Sequence, residues 1–190
     1  MMTRMPMNPG RQRGVSLVEV LVALLVVSLG VLAVTGLQAT AARYGKTSEF
    51  RAMATLLASD IADRMRANKP AVDAGSYALS GEFSPIDDVP EIPSCAIANA
   101  CTEPELAAID IAEWKRALYS GLPSPDGYVA TESIGGKVVA ADVWVAWLDP
   151  SASNSETKAD SDEDENKKEC PPGFRDLDPQ PRCLYVRVGF

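Results

Sequence analysis

The chain contains no histidine, and so lacks the side chain that most often serves as a general base near neutral pH and as a transition-metal ligand. It also has no Gly-rich phosphate loop, no nucleophile elbow and no pair of acids in a defined catalytic scaffold. No enzyme activity, cofactor or metal site is expected. Positive charge is scarce too: 18 Lys and Arg stand against 26 Asp and Glu, a net charge of -8. With no basic, aromatic-studded stripe, nucleic acid is a poor partner on electrostatic grounds. Cysteine is limited to four residues, the first at position 95. At 190 residues the chain has room for one anchor and one small domain.

What the sequence does have is a long stretch almost without charge. Val15 to Leu37 is a 23-residue apolar run. At about 1.5 Å rise per residue it is long enough to cross a bilayer core of about 30 Å. Its one ionisable side chain is Glu19, close behind the basic segment Arg11-Gln12-Arg13-Gly14. A charge in hydrocarbon costs about 2.5 to 3.5 kcal/mol even on insertion scales, so an acid there implies a partner or a task. Arg4, Arg11 and Arg13 precede the run with no acidic counterweight, which favours a cytoplasmic N-terminus.

The segment Gly14-Val15-Ser16-Leu17-Val18-Glu19-Val20-Leu21 resembles the cleavage and methylation motif of type IV prepilins and the related pseudopilins. Most family members carry Phe where this chain has Val15. The resemblance implies that an inner-membrane prepilin peptidase cuts after Gly14 and that the new amino group of Val15 is methylated. Glycine suits a cleavage site because, without a Cβ, it lets a protease backbone approach closely. Glu19 then acquires a role: inside the membrane its carboxylate pairs with the charged N-terminus of a neighbouring subunit, and both charges lose their penalty together. The plain alternative is an ordinary anchor with Glu19 reaching toward headgroups. A secretory signal cut near Ala39-Thr40-Ala41 is a further alternative, although such apolar regions are usually only about 7 to 15 residues long.

Beyond the run, Phe50, Met53, Leu57, Ile61 and Met65 form a helical stripe opposite Arg51, Thr55, Ser59, Asp63 and Arg66. The helix is expected to stop near Asn68, ahead of Pro70. A helix from Val15 to Asn68 would be on the order of 80 Å long, like the spine of pilins. Asp60 to Asn68 resembles the helix end of PilV-type minor pilins in particular. Gly30 and Gly36 are read either as close-packing positions between membrane helices or as points where the helix bends on assembly.

Residues 69–100 are rich in Pro, Gly, Ser and Asp and are expected to be irregular, with at most a short strand. Thr102-x-x-Glu105 is a capping box that opens a second helix. Leu106, Ile109, Trp114 and Leu118 supply its apolar side, and Asp110, Glu113, Lys115 and Arg116 are expected to face water. Tyr128–Ile134 and Lys137–Leu148, joined by Gly135-Gly136, read as a β-hairpin, and Cys183–Phe190 as a last strand; the sheet should pack on the long helix. The acidic run Asp160-Ser161-Asp162-Glu163-Asp164-Glu165 lacks the Gly and the final Glu of a calcium loop and is read as solvated surface.

Four cysteines allow three connectivities, and in an exported domain they read as disulfides. Local pairing, Cys95 with Cys101 and Cys170 with Cys183, is expected, because the Pro-rich loop between the latter two gains from a covalent clasp. A disulfide-bounded loop near the C-terminus also agrees with the pilin resemblance.

The reading is thus an α+β type IV pilin fold. Residues 1–14 form a leader, 15–37 the transmembrane half of the first helix, 38–68 its amphipathic half and 69–190 a periplasmic head on a small antiparallel sheet. The resemblance implies a minor pilin that helps to initiate pilus assembly, first in the inner membrane and then on the cell surface, supporting twitching motility and adhesion. Its implied partners are other minor pilins, the major pilin, the prepilin peptidase, an assembly ATPase and a tip adhesin. A type II secretion pseudopilin, or a single-span anchor carrying a periplasmic enzyme or sensor, are the competing readings.

Overall fold

The computed structural model describes residues 14–97, 100–150, 170–175 and 177–190. Residues 1–13 of the expected leader, with Arg4, Arg11 and Arg13, and the acidic run Asp160–Glu165 lie outside the described residues. The chain divides into two compact units, Met1–Tyr44 and Gly45–Phe190. The long helix α1, Leu17–Ala67, contributes residues to both.

In the first unit α1 is apolar on every side. Its large hydrophobic side chains, from Leu17 to Leu37, are all exposed. This stretch is long and apolar enough to cross a membrane, and none of its most hydropathic window is buried. The hydroxyls within it are satisfied by the helix itself. Ser28 donates to the Leu25 carbonyl at 2.8 Å, Thr35 to Val31 at 2.8 Å and Thr40 to Gly36 at 3.1 Å. Such back-bonding removes the unpaired donors that would otherwise oppose immersion in hydrocarbon.

In the second unit the remainder of α1 turns amphipathic. Leu57, Ile61 and Met65 are buried as the stripe predicts, while Phe50 and Met53 pack at its margin. Ala54, Ala58 and Ala62 complete the buried face. Against them lie α3, Glu103–Gly121, and a three-stranded antiparallel sheet of β1 (Asp126–Ile134), β2 (Lys137–Trp147) and β3 (Arg182–Gly189), in the order β1-β2-β3. Val129, Val143, Val145 and Val188 join α1 and Trp114 in one core. Gly135 and Gly136, at φ 61° and 80°, make the two-residue turn of the β1–β2 hairpin, a conformation that favours glycine.

The central strand β2 is apolar on both faces because both are covered. Val143, Val145 and Trp147 belong to the main core; Ala146, on the other face, meets Cys170, Phe174 and Cys183. Disulfides join Cys95 to Cys101 and Cys170 to Cys183. The second holds a loop whose Phe174 packs edge-on against Phe83 and Tyr128, with ring centroids 5.2 and 5.9 Å apart. Gly173 lets this loop approach closely: a Cβ there would stand 2.8 Å from the Gly81 carbonyl oxygen.

Four expectations are corrected. The stretch after Asn68 does not begin irregularly; a short helix α2, Lys69–Asp73, follows α1 directly with Pro70 in its first turn. Proline stops the preceding helix but suits the start of a new one, since the N–H it lacks has no partner there. The short strand reduces to a single bridge between Leu79 and Val129. On α3, Leu106 is 42% exposed rather than part of the core, because the buried face set by Trp114 and Leu118 passes through Ala107 instead. Asp110 and Glu113, expected in water, both hydrogen-bond to Arg64 of α1, at 3.1 and 2.6 Å.

Candidate processing and assembly segment

Gly14, Val15 and Ser16 precede α1 in exposed, non-helical backbone. The first helical hydrogen bonds close on Ser16: its carbonyl accepts from the N–H of Glu19 at 3.0 Å and of Val20 at 3.2 Å. The Gly14–Val15 peptide bond therefore lies outside the helix. A Cβ added at Gly14 would meet nothing within 4 Å. The fold of this chain does not itself demand glycine there.

Glu19 is exposed in the first turn of α1. A carboxylate there complements the partial positive charge of the unpaired helical N–H groups. Gly30 and Gly36 likewise have open space around the position of a Cβ.

The head holds its charges differently, in networks that fasten helices and strands. Arg64 of α1 bonds Asp60 at 3.0 Å as well as Asp110 and Glu113, and Tyr77 donates its hydroxyl to Asp110. These carboxylates, Glu113 first, hold the Arg64 guanidinium well above its ordinary pKa, while burial, with Asp110 adding to it, pushes the Tyr77 hydroxyl up. Lys69 and Asp73 of α2 clasp one residue of β2: Lys69 donates to the Val138 carbonyl at 2.7 Å, and the Val138 N–H donates to Asp73 at 2.9 Å. Asp73 is held below the ordinary carboxylate range, chiefly by Lys69. Asp126 is buried, accepts the N–H groups of Ser84 and Gly127, each at 2.8 Å, and has its pKa raised by that burial. The pattern of charged residues on α3 signalled none of the contacts of Asp110 with Arg64 and Tyr77, because the partners lie far away in sequence.

A small open pocket lies between Pro123, Leu148, Pro150 and Pro179. Its carboxylate, Asp149, already accepts the Thr47 hydroxyl at 3.1 Å. Among the described residues no group of three or more His, Cys, Asp or Glu side chains is placed to hold a metal ion.

The long apolar helix, the small three-stranded antiparallel sheet and the disulfide near the C-terminus make this a type IV pilin-like α+β fold. Residues 9–35 match the family model of the prokaryotic N-terminal methylation motif. The chain is therefore prepilin-like at its N-terminus, and the motif implies processing by a prepilin peptidase and association with the membrane and a pilus-type system. No curated protein and no solved structure matches the chain.

Proposed function

We propose that this protein is a minor pilin of the PilV type, a structural subunit that helps to start a type IV pilus and so supports twitching motility and adhesion. The observation that carries the proposal is the placing of Glu19. It is the lone acid of the exposed apolar stretch of α1, sits in the first turn, and lies just past a non-helical Gly14–Val15 bond. Cutting after Gly14 creates an amine on Val15, four residues before the carboxylate. In one chain the two charges are tethered; between chains they draw an incoming subunit to the growing fibre, where each neutralises the other away from water. Methylation of the amine keeps its positive charge. The head then stands in the periplasm and later on the fibre, alongside other minor pilins, the major pilin and a tip adhesin. The likeness of Asp60–Asn68 to PilV-type helix ends supports the subtype.

Replacing Glu19 by Val tests the proposal. The variant is expected to insert into the inner membrane and be processed normally, yet to be missing from sheared fibres. Normal incorporation overturns the charge-pairing role. Rescue of protein secretion instead of piliation by the wild-type gene assigns the chain to a type II secretion pseudopilus.

A further inference from the structure

Residues 82–102 hold neither helix nor strand, among those described, yet this segment is pinned at several points. The Ile86 N–H donates to the Pro125 carbonyl at 2.8 Å, Arg116 donates to the Pro90 carbonyl at 3.0 Å, and the Ala96 N–H donates to Glu105 at 2.8 Å. The Cys95–Cys101 disulfide closes its far end. Because Pro90 is held by Arg116 and Ala96 by Glu105, the segment runs along α3 in the opposite direction to the helix. Glu105 is an anchor as much as a cap: it also accepts the Thr102 N–H, at 2.8 Å, and these backbone donors, that of Thr102 first, hold its carboxyl below the ordinary range.

This fixed ledge presents apolar side chains to solvent. Val89 is 53% exposed, Ile92 40%, Ile97 67% and the adjoining Leu106 of α3 42%. Between residues 82 and 105 the sequence has six acidic residues and no basic one. The carboxylates of Asp87, Asp88, Glu91 and Glu103 make no ion pair among the described residues. A preordered segment that alternates exposed apolar side chains with carboxylates outside any ion pair has the build of a protein-docking surface, since little ordering cost opposes association and the carboxylates select a partner of opposite charge.

We propose that this ledge docks a different subunit of the same assembly, one that presents an apolar face edged with Lys and Arg. A second copy of this chain fits poorly, because a two-fold contact would set the same carboxylates against each other. The inference rests on the assembly-subunit reading and adds the surface and the charge of the partner.

The test uses the full chain in detergent micelles and, as probes, the other methylation-motif subunits of the same cell, purified one at a time. One variant carries Ile92→Asp and Ile97→Asp; a second carries Asp87→Lys, Asp88→Lys and Glu91→Lys. All these side chains are exposed, and circular dichroism checks that each variant keeps the wild-type fold. At least one basic-faced subunit is expected to bind, less tightly at high salt, and each variant to weaken it by about tenfold or more. Binding to none of them, self-association alone, or binding unchanged in both variants overturns the inference. Neither variant touches the N-terminal segment, so a chain that fails to be cut after Gly14 sinks the assembly reading instead.

Discussion

The indole of Trp114 on α3 donates its N–H to the main-chain carbonyl of Leu57 on α1, 2.8 Å away in a fully buried setting. One side chain thus supplies both apolar area and a polar tie to α1. Trp114→Phe removes the tie but keeps most of the ring, and is expected to cost about 1 kcal/mol. Trp114→Ala leaves a cavity and is expected to cost about 3 to 5 kcal/mol. Urea unfolding followed by circular dichroism distinguishes the two; equal losses would mean that the hydrogen bond, rather than the packing, carries the effect.

Gly127, at the start of β1, is where the sheet comes closest to that indole. A Cβ at 127 would lie 2.4 Å from two ring atoms of Trp114. The ring is wholly buried and has nowhere to move, so Gly127→Ala is expected to destabilise the head by about 1 to 3 kcal/mol. Gly121 is the control. Its nearest neighbour is the Met53 Cγ at 3.0 Å, part of a flexible side chain able to give way. Gly121→Ala is expected to lose clearly less, as a comparison of urea midpoints will show.

The raised pKa of buried Asp126 has a defined pH signature. Its folded pKa stands above the unfolded value, so the folded state holds the proton more tightly. Its contribution is fully present below the unfolded pKa and is lost as pH rises through the folded pKa. Asp126→Asn removes this dependence. The stability of wild type relative to Asp126→Asn is therefore expected to fall between acidic and neutral pH, measured as paired urea midpoints. A difference independent of pH contradicts the assignment.

Patterns set by near neighbours were legible in the sequence. The capping box from Thr102 to Glu105 forms, with the Thr102 hydroxyl and the Glu105 carboxylate each accepting the other's main-chain N–H. The Gly135-Gly136 hairpin and the central place of β2 follow from turn chemistry and from a strand apolar on both faces. The apolar run of α1 was plain from its length alone. What escaped depends on distant partners or on small residues. Alanine carries too weak a hydropathy signal to show that Ala54, Ala58, Ala62 and Ala107 line the core, so Leu106 was assigned a place that Ala107 occupies. Asp110 reads as surface until Arg64 and Tyr77, 46 and 33 positions away, arrive beside it. In α2, Pro70 acts as the start of a helix as well as the stop of the one before it. In the N-terminal segment the methylation motif was legible, because it lies in the spacing from Gly14 to Glu19 and in the apolar run that follows.

The central claim is that the chain is cut after Gly14 so that the amine of Val15 can meet the carboxylate of a sister subunit's Glu19. Mass spectrometry of the protein recovered from fibre-building cells tests it most directly. The expected product begins at Val15 and carries a methyl group on its amino nitrogen. A product that still begins at Met1, or one that begins near Ala42 after a secretory cut, contradicts it.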